Sequence, residues 1–231
     1  MYYNLVSYYY LSSKTEEYYN VIANKSKLIM VDSGAHSFQK GKVVEWEKYT
    51  RNYAEWIKKH DNKKILGYFE MDVDNIIGYK KVLYLHKILD SVSDKIIPVW
   101  HKNRGIKNYI NMCKAYSGKI IAITGFKNED IKDEQYSKFL NIAWDNGCRL
   151  HCLGMTRKKI LDSVPFDFTD SASWIAPDTF GKVINGKKVK LGAEKEDRKN
   201  LYVYLYKEAM KMQKKYNIKW KNYEESYKRG L

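Results

Sequence analysis

Six residues with acid–base or nucleophilic chemistry stand in, or just after, short apolar runs. Asp32 follows Lys-Leu-Ile-Met-Val (27–31). Asp72 and Asp74 close the run 64–71, which ends Glu70-Met71-Asp72-Val73-Asp74. His101 follows Lys-Ile-Ile-Pro-Val-Trp (95–100), His151 lies within Arg-Leu-His-Cys-Leu (149–153), and Asp170 ends the alternating run Phe166-Asp167-Phe168-Thr169. One aspartate leaving a strand is an ordinary turn former or helix cap. Its recurrence along the chain is the signal. Carboxylates and imidazoles gathered at one mouth perturb each other's pKa values and supply proton donors, acceptors and a nucleophile. Gly125-Phe126 ends one further run, 119–124, and Leu153-Gly154-Met155 ends the run that holds His151; a glycine there lets a planar ligand approach the backbone. Ser171, Ser173 and Trp174 follow Asp170 at once, giving hydroxyls and an aromatic wall.

The elements that must position these groups read as alternating strands and helices. Strands are expected at 4–10, 27–31, 64–71, 95–100, 119–124, 149–153 and 166–170. Helical stripes fall between them. Trp46, Tyr49, Tyr53, Trp56 and Ile57 share one face of 44–59, and Ile106, Tyr109, Ile110 and Cys113 share another. Further helices are expected at 12–26, 77–90, 131–146 and 156–162. Continuous apolar strands alternating with amphipathic helices mean a parallel sheet covered on both sides. The expected fold is therefore α/β, a TIM-like (β/α)8 barrel, irregular or incomplete at its last strand, with the six residues on its C-terminal rim. Residues 182–191 read as a hairpin around Asn185-Gly186. Residues 195–216 read as an amphipathic helix and 217–231 as a polar remainder, mobile at its end. Residues 1–194 are thus assigned to the barrel, and 195–231 to a basic helix and tail packed on it.

The 231 residues carry a net charge of +15, and residues 181–231 hold 15 Lys and Arg against 6 Asp and Glu. Such a field attracts polyanions, nucleic acid first among them, with Lys187, Lys188, Lys190, Lys214 and Lys215 as backbone contacts. Coding bias toward lysine produces the same composition. Aromatics at 15%, with 21 Tyr and 6 Trp, exclude a disordered chain. No apolar run has the length of a membrane span, and the N-terminus lacks the pattern of a signal peptide, so a cytoplasmic location is expected. Three cysteines, Cys113, Cys148 and Cys152, suggest free thiols in a reducing compartment, and no further cysteine completes a zinc pattern.

Val31-Asp32-Ser33-Gly34-Ala35-His36-Ser37-Phe38-Gln39 resembles the Asp-Ser-Gly-Gly-Phe-Gln signature of tRNA-guanine transglycosylases, with two residues inserted or changed. Phe168-Thr169-Asp170-Ser171 resembles the Met-Phe-Asp-Cys segment that holds that family's nucleophile. Between them the order of strand ends is also similar. Asp72-Val73-Asp74 falls where the family keeps a base-recognising aspartate, and His101 where it has a glutamine. Gly125-Phe126 falls at its base-binding turn, and Leu153-Gly154-Met155 at its Met-Gly-Val-Gly turn. The likeness spans roughly residues 28–175 and is nearest the divergent phage-type members that place 7-deazaguanine bases into DNA. The family's three clustered cysteines and histidine after the nucleophile are missing, so no zinc subdomain is expected. Ala35 stands for the second glycine of the signature.

The resemblance implies a base-exchange glycosyltransferase, with DNA favoured as substrate and tRNA the alternative. Asp170 would attack C1′ and Asp32 would protonate the departing guanine. Asp72, in preference to Asp74, would read the guanine edge, His101 would donate to its carbonyl, and Phe126 and Trp174 would sandwich it. Gly125 and Gly154 would line the same base site. His36 and His86 are expected to be structural or exposed. The partners implied are nucleic acid and a 7-deazaguanine base, with an oligomer or partner subunit possible and no cofactor or metal required. Two other readings remain open at this level. Asp32, Asp72, His101 and His151 could form the cage of a metal-dependent barrel hydrolase. The barrel could also be a non-catalytic nucleic-acid-binding subunit.

Overall fold

β-Branched and aromatic runs fold here as parallel strands, because helices between them return the chain to the same end of the sheet. The computed structural model describes residues 2–38, 44–125, 131–170, 183–184, 187–188 and 195–226. Strands β1 (Tyr2–Ser7), β2 (Ser26–Asp32), β3 (Ile65–Phe69) and β4 (Ile96–Ile97) form one four-stranded parallel sheet, in that order. Strands β5 (Val99–Trp100), β6 (Ile120–Thr124), β7 (Arg149–Leu153) and β8 (Phe168–Thr169) form a second. β4 and β5 are one stretch of chain divided at Pro98, which has no N–H to give to a ladder. The Pro98 carbonyl accepts from Ala122 N–H at 2.9 Å, so the stretch passes from one sheet to the other there.

Helices α1 (Tyr8–Leu11), α2 (Glu16–Lys25), α3 (Trp46–His60), α4 (Asp74–Ile77), α5 (Tyr79–Asp90), α6 (Gly105–Ala115), α7 (Tyr136–Asp145) and α8 (Lys158–Leu161) lie between the strands. Two apolar layers separate helices from sheets. Ile29, Val31 and Tyr68 pack against Tyr53, Ile57, Val82 and Leu85, and Ile121, Ile123 and Leu150 pack against Tyr109, Cys113 and Leu140. A third layer lies between the sheets. Leu5, Met30, Leu66, Phe69, Ile97, Val99, Ile120, Ala122, Leu153 and Phe168 meet in it, drawn from every strand β1 to β8. Across this layer His151 on β7 touches Met30 on β2 (3.2 Å) and Phe69 on β3 (ring centroids 4.9 Å).

The alternating pattern thus gives the expected strands, with differences that have physical causes. Among the described residues no ladder joins β8 to β1, so the architecture is two four-stranded parallel sheets sharing an inner layer. The first strand ends at Ser7 instead of residue 10. Tyr8 there turns into α1, where its ring stacks on Tyr53 at 4.7 Å. The helix expected at 77–90 is broken at Gly78, whose φ of 79° ends α4 and starts α5. The helix expected to end at residue 216 instead continues through the polar stretch to Ser226 as one helix, α9 (Lys195–Ser226). It holds there because Trp220 Nε1 donates to the Leu161 carbonyl (3.1 Å), Tyr216 hydroxyl to Asp162 (3.1 Å), and Tyr223 packs on Trp144. Gln213 exchanges hydrogen bonds with the Tyr3 backbone, so α9 bridges the start of β1 and the end of α8. The hairpin is present as β9 (Val183–Ile184) and β10 (Lys187–Lys188).

Gly67 shows how closely β3 and β4 approach. A Cβ there would lie 2.6 Å from Ile97 Cδ1 and 2.9 Å from the Lys95 carbonyl oxygen. Gly67→Ala is expected to lower stability by about 1–3 kcal/mol through overpacking, with urea denaturation as the measurement. A midpoint equal to wild type would show that the β3–β4 contact yields freely.

Candidate active site at the strand ends

Asp32 ends β2 in a turn that its own sequence prescribes. Gly34 has φ 76°, and a Cβ there would lie 2.3 Å from Tyr9 Cβ, so only glycine fits. Its N–H donates to Asp32 Oδ2 at 3.0 Å. Helix α3 clamps the turn from behind. Tyr49 hydroxyl donates to the Ser33 carbonyl (2.7 Å) and Tyr53 hydroxyl to the Val31 carbonyl (3.1 Å). Burial is the main cause that raises Asp32 to a pKa of about 7. The charges of Asp170 and Asp72 raise it further, against the Gly34 N–H and the Ser7 hydroxyl.

Asp170 follows β8 and is held by the end of β7. His151 Nε2 donates to its Oδ1 at 2.8 Å and Gly154 N–H to the same oxygen at 3.3 Å. Gly154 has φ 69°, which aims that N–H across the strand ends. His151 is itself fixed by Met30, Phe69 and Phe168 in the inner layer. Gly125 ends β6 with its N–H on the Leu153 carbonyl (2.6 Å), and a Cβ there would meet Cys152 Sγ at 2.8 Å. Its glycine is required by the β6–β7 packing, a different reason from the ligand approach expected of it.

Asp72 follows β3 and pairs with His101 Nε2, just after β5. Burial disfavours charge on both groups, yet the shared hydrogen bond and mutual attraction outweigh it. Asp72 lies below the ordinary carboxylate range and His101 is raised to about 9. The pair is an imidazolium–carboxylate at neutral pH. Asp74 is turned to a different partner. It is buried, and Arg104 grips it with Nε (2.5 Å) and Nη2 (2.7 Å). This leaves Asp72 and not Asp74 beside Asp32, on which its charge acts.

The structure therefore brings Asp32, Asp72, His101, His151, Gly154 and Asp170 to one end of the parallel strands. Phe126, Trp174 and Lys190 lie outside the described residues. Lys187 and Lys188 form β10. Lys214 and Lys215 are exposed on α9 near Gln213, which bonds Tyr3 at the start of β1, whereas Ser7 at the other end of β1 pairs in register with Asp32. The span from Tyr3 to Ser7 is about 13 Å, so these lysines belong to the opposite end of the strands. Lys215 also lies 3.4 Å from Asp162. His36 sits in a 3₁₀ turn (Ala35–Phe38), and His86 is buried against Glu70 at 2.6 Å. Sequence reading missed Arg104 and Glu70. The alternation Glu70, Asp72, Asp74 carried a signal, because three acids within five residues between apolar neighbours need cations.

Among the described residues no group of three or more His, Cys, Asp and Glu is arranged to hold a metal ion. No helix among them is long and apolar enough to cross a membrane. No protein-family model, no curated protein and no solved structure matches this chain.

A carboxyl raised to about 7 makes folding favour its protonated form. Its contribution is whole below the ordinary carboxylate range and is lost as pH rises through about 7. Asp32→Asn keeps the shape and removes the buried charge. Its melting temperature is expected to exceed wild type by on the order of 5 °C at pH 8.5, with a smaller gain at pH 5. Equal melting temperatures at pH 8.5 would mean that Asp32 ionises without cost.

Proposed function

We propose that this chain is a base-exchange glycosyltransferase acting on guanine in nucleic acid, with DNA the favoured polymer and a 7-deazaguanine base the incoming group. One observation carries the reading: Asp32, a carboxyl that holds its proton near neutral pH, sits within electrostatic reach of a second carboxylate, Asp170. Two carboxylates in unlike environments are the arrangement that glycosyl transfer through a covalent intermediate uses. The resemblance of the segments around Asp32 and Asp170 to transglycosylases assigns the same two roles.

In this reading Asp170 attacks C1′ with Oδ2, since Oδ1 is held by His151 and Gly154. The C1′–N9 bond breaks, its electron pair leaves with guanine, and Asp32 supplies the proton that neutralises it. The carboxylate of Asp32 then takes a proton from the incoming base. The nitrogen freed in this way attacks C1′, and Asp170 departs unchanged. The imidazolium–carboxylate pair of His101 and Asp72 offers an N–H donor and an acceptor to an N–H/C=O base edge. A duplex target would have to present its nucleotide flipped out.

The reading also takes the two sheets as one (β/α)8 barrel, closed where α9 spans the start of β1 and the end of α8. An inner layer fed by every strand and the contacts of His151 with β2 and β3 support it.

The experiment is capture of a protein–nucleic acid adduct on a denaturing gel, with guanine-containing DNA or tRNA and a slowly reacting base. An adduct is expected in wild type and absent in Asp170→Asn, with noncovalent binding retained. An equal adduct in Asp170→Asn would move the nucleophile elsewhere. Binding with neither adduct nor exchange would favour a non-catalytic subunit. Noncovalent binding itself is expected to weaken steeply with salt, as displacement of counterions requires. Filter binding at two salt concentrations checks this, and equal affinity at both would remove the polyanion role of the basic chain.

A further inference from the structure

The segment after β3 places acids at every second position. Met71 and Val73, between them, are buried in the apolar layer under α3 and α5. Glu70, Asp72 and Asp74 each meet the segment that follows β4. Glu70 Oε1 accepts from Val99 N–H at 2.8 Å, Asp72 meets His101, and Asp74 meets Arg104. Arg104 is the cross-piece. It is buried, holds Asp74 through two nitrogens, reaches Glu70 Oε1 at 3.5 Å, and lies 4.0 Å over the ring of Tyr79. Glu70 is locked in turn by His86 at 2.6 Å, and Tyr116 hydroxyl meets the other ring nitrogen of His86 at 2.7 Å.

We infer that Arg104 is a positioning residue: by bridging Asp74 and Glu70 beneath the rim it fixes the separation of the two loops that carry Asp72 and His101. Three features support it. Arg104 is three residues from His101, and Asp74 two from Asp72, so the two pairs are adjacent rungs between the same loops. The planar guanidinium binds a carboxylate with two parallel bonds, which fixes angle as well as distance. Arg104 and Asp74 bond each other just beneath the rim, so besides the field they exert on His101 they act on the site through the loops. The consequence for base exchange rests on the function proposed above; the positioning itself stands on the geometry.

The test is titration of the His101 imidazole by NMR in the full-length protein. Asp72, Asp74 and Arg104 are among the charged groups that act on it. The two acids raise its pKa and the Arg104 charge lowers it. Loss of the Arg104 charge alone would therefore push His101 above about 9. Loss of positioning would separate His101 from Asp72 and let it fall toward its ordinary 6.5. The two effects have opposite signs. Arg104→Gln is expected to lower the His101 pKa by a unit or more, with partial recovery in Arg104→Lys. Arg104→Gln strands the buried Asp74 carboxylate, so the double variant Arg104→Gln/Asp74→Asn accompanies it. That variant removes one charge of each sign and is expected to show the same fall. A His101 pKa unchanged or raised in the folded variants would overturn the inference. With base exchange as readout, Arg104→Gln should raise KM for the incoming base about tenfold and change kcat at saturating base far less. An unchanged KM would overturn it too. A His101 shift in a protein whose wild type performs no exchange would uphold the positioning and remove the proposed function.

Discussion

Carboxylates withdrawn from water must be paired or protonated, and that constraint organises the working end of this chain. Asp32, Glu70, Asp72, Asp74 and Asp170 all lie at or just under the strand ends. An unpaired buried charge would cost several kcal/mol. Each acid has a separate solution. Asp170 takes hydrogen bonds from His151 and Gly154, Asp72 takes His101, Asp74 takes Arg104, and Glu70 takes His86 and the Val99 N–H. Asp32 has, among the described residues, the Gly34 N–H and the Ser7 hydroxyl, with two like charges nearby. Burial and those two charges therefore raise it to about 7.

The scaffold serves that arrangement through its strand order. Parallel pairing sends every strand end to one side, so residues far apart in sequence share a field. The inner layer between the sheets then fixes them. His151 is held between Met30 and Phe69, and through it Asp170 is tied to the opposite sheet. Helix α3 supports Asp32 from the other face through Tyr49 and Tyr53. The same tyrosines that pack against the core thereby hold the backbone on either side of Asp32.

The basic character has a different distribution. Lys215 and Lys219 partly neutralise Asp162, and in doing so fasten α9 to α8. Part of the positive charge therefore has a structural use. Lys214 lies beside these residues, away from the strand ends. A polymer held there and a nucleotide entering the site would occupy different ends of the molecule. In this respect charge counted along the chain and charge placed in space disagree.

Strand and helix periodicity, the Asp32-Ser33-Gly34 turn and the carboxylates at strand ends were legible in the sequence, because burial pattern and backbone preference are local properties. Gly34 is an example: its left-handed φ is demanded by a turn only three residues long. Pairing was not legible. Position at the strand end favours Asp72 over Asp74 for the base site, but no local signal gives the partner of either. Only the packed loops put one against His101 and the other against Arg104, 29 and 30 residues away. The raised pKa of Asp32 is likewise a tertiary property, made by burial and by a carboxylate 138 positions downstream. The continuation of α9 to Ser226 was set by Trp220 and Tyr216 finding Leu161 and Asp162. Sequence determines which groups are available and which backbone each prefers. The fold decides which charges meet, because electrostatic energy depends on distance through space and on the water excluded between them.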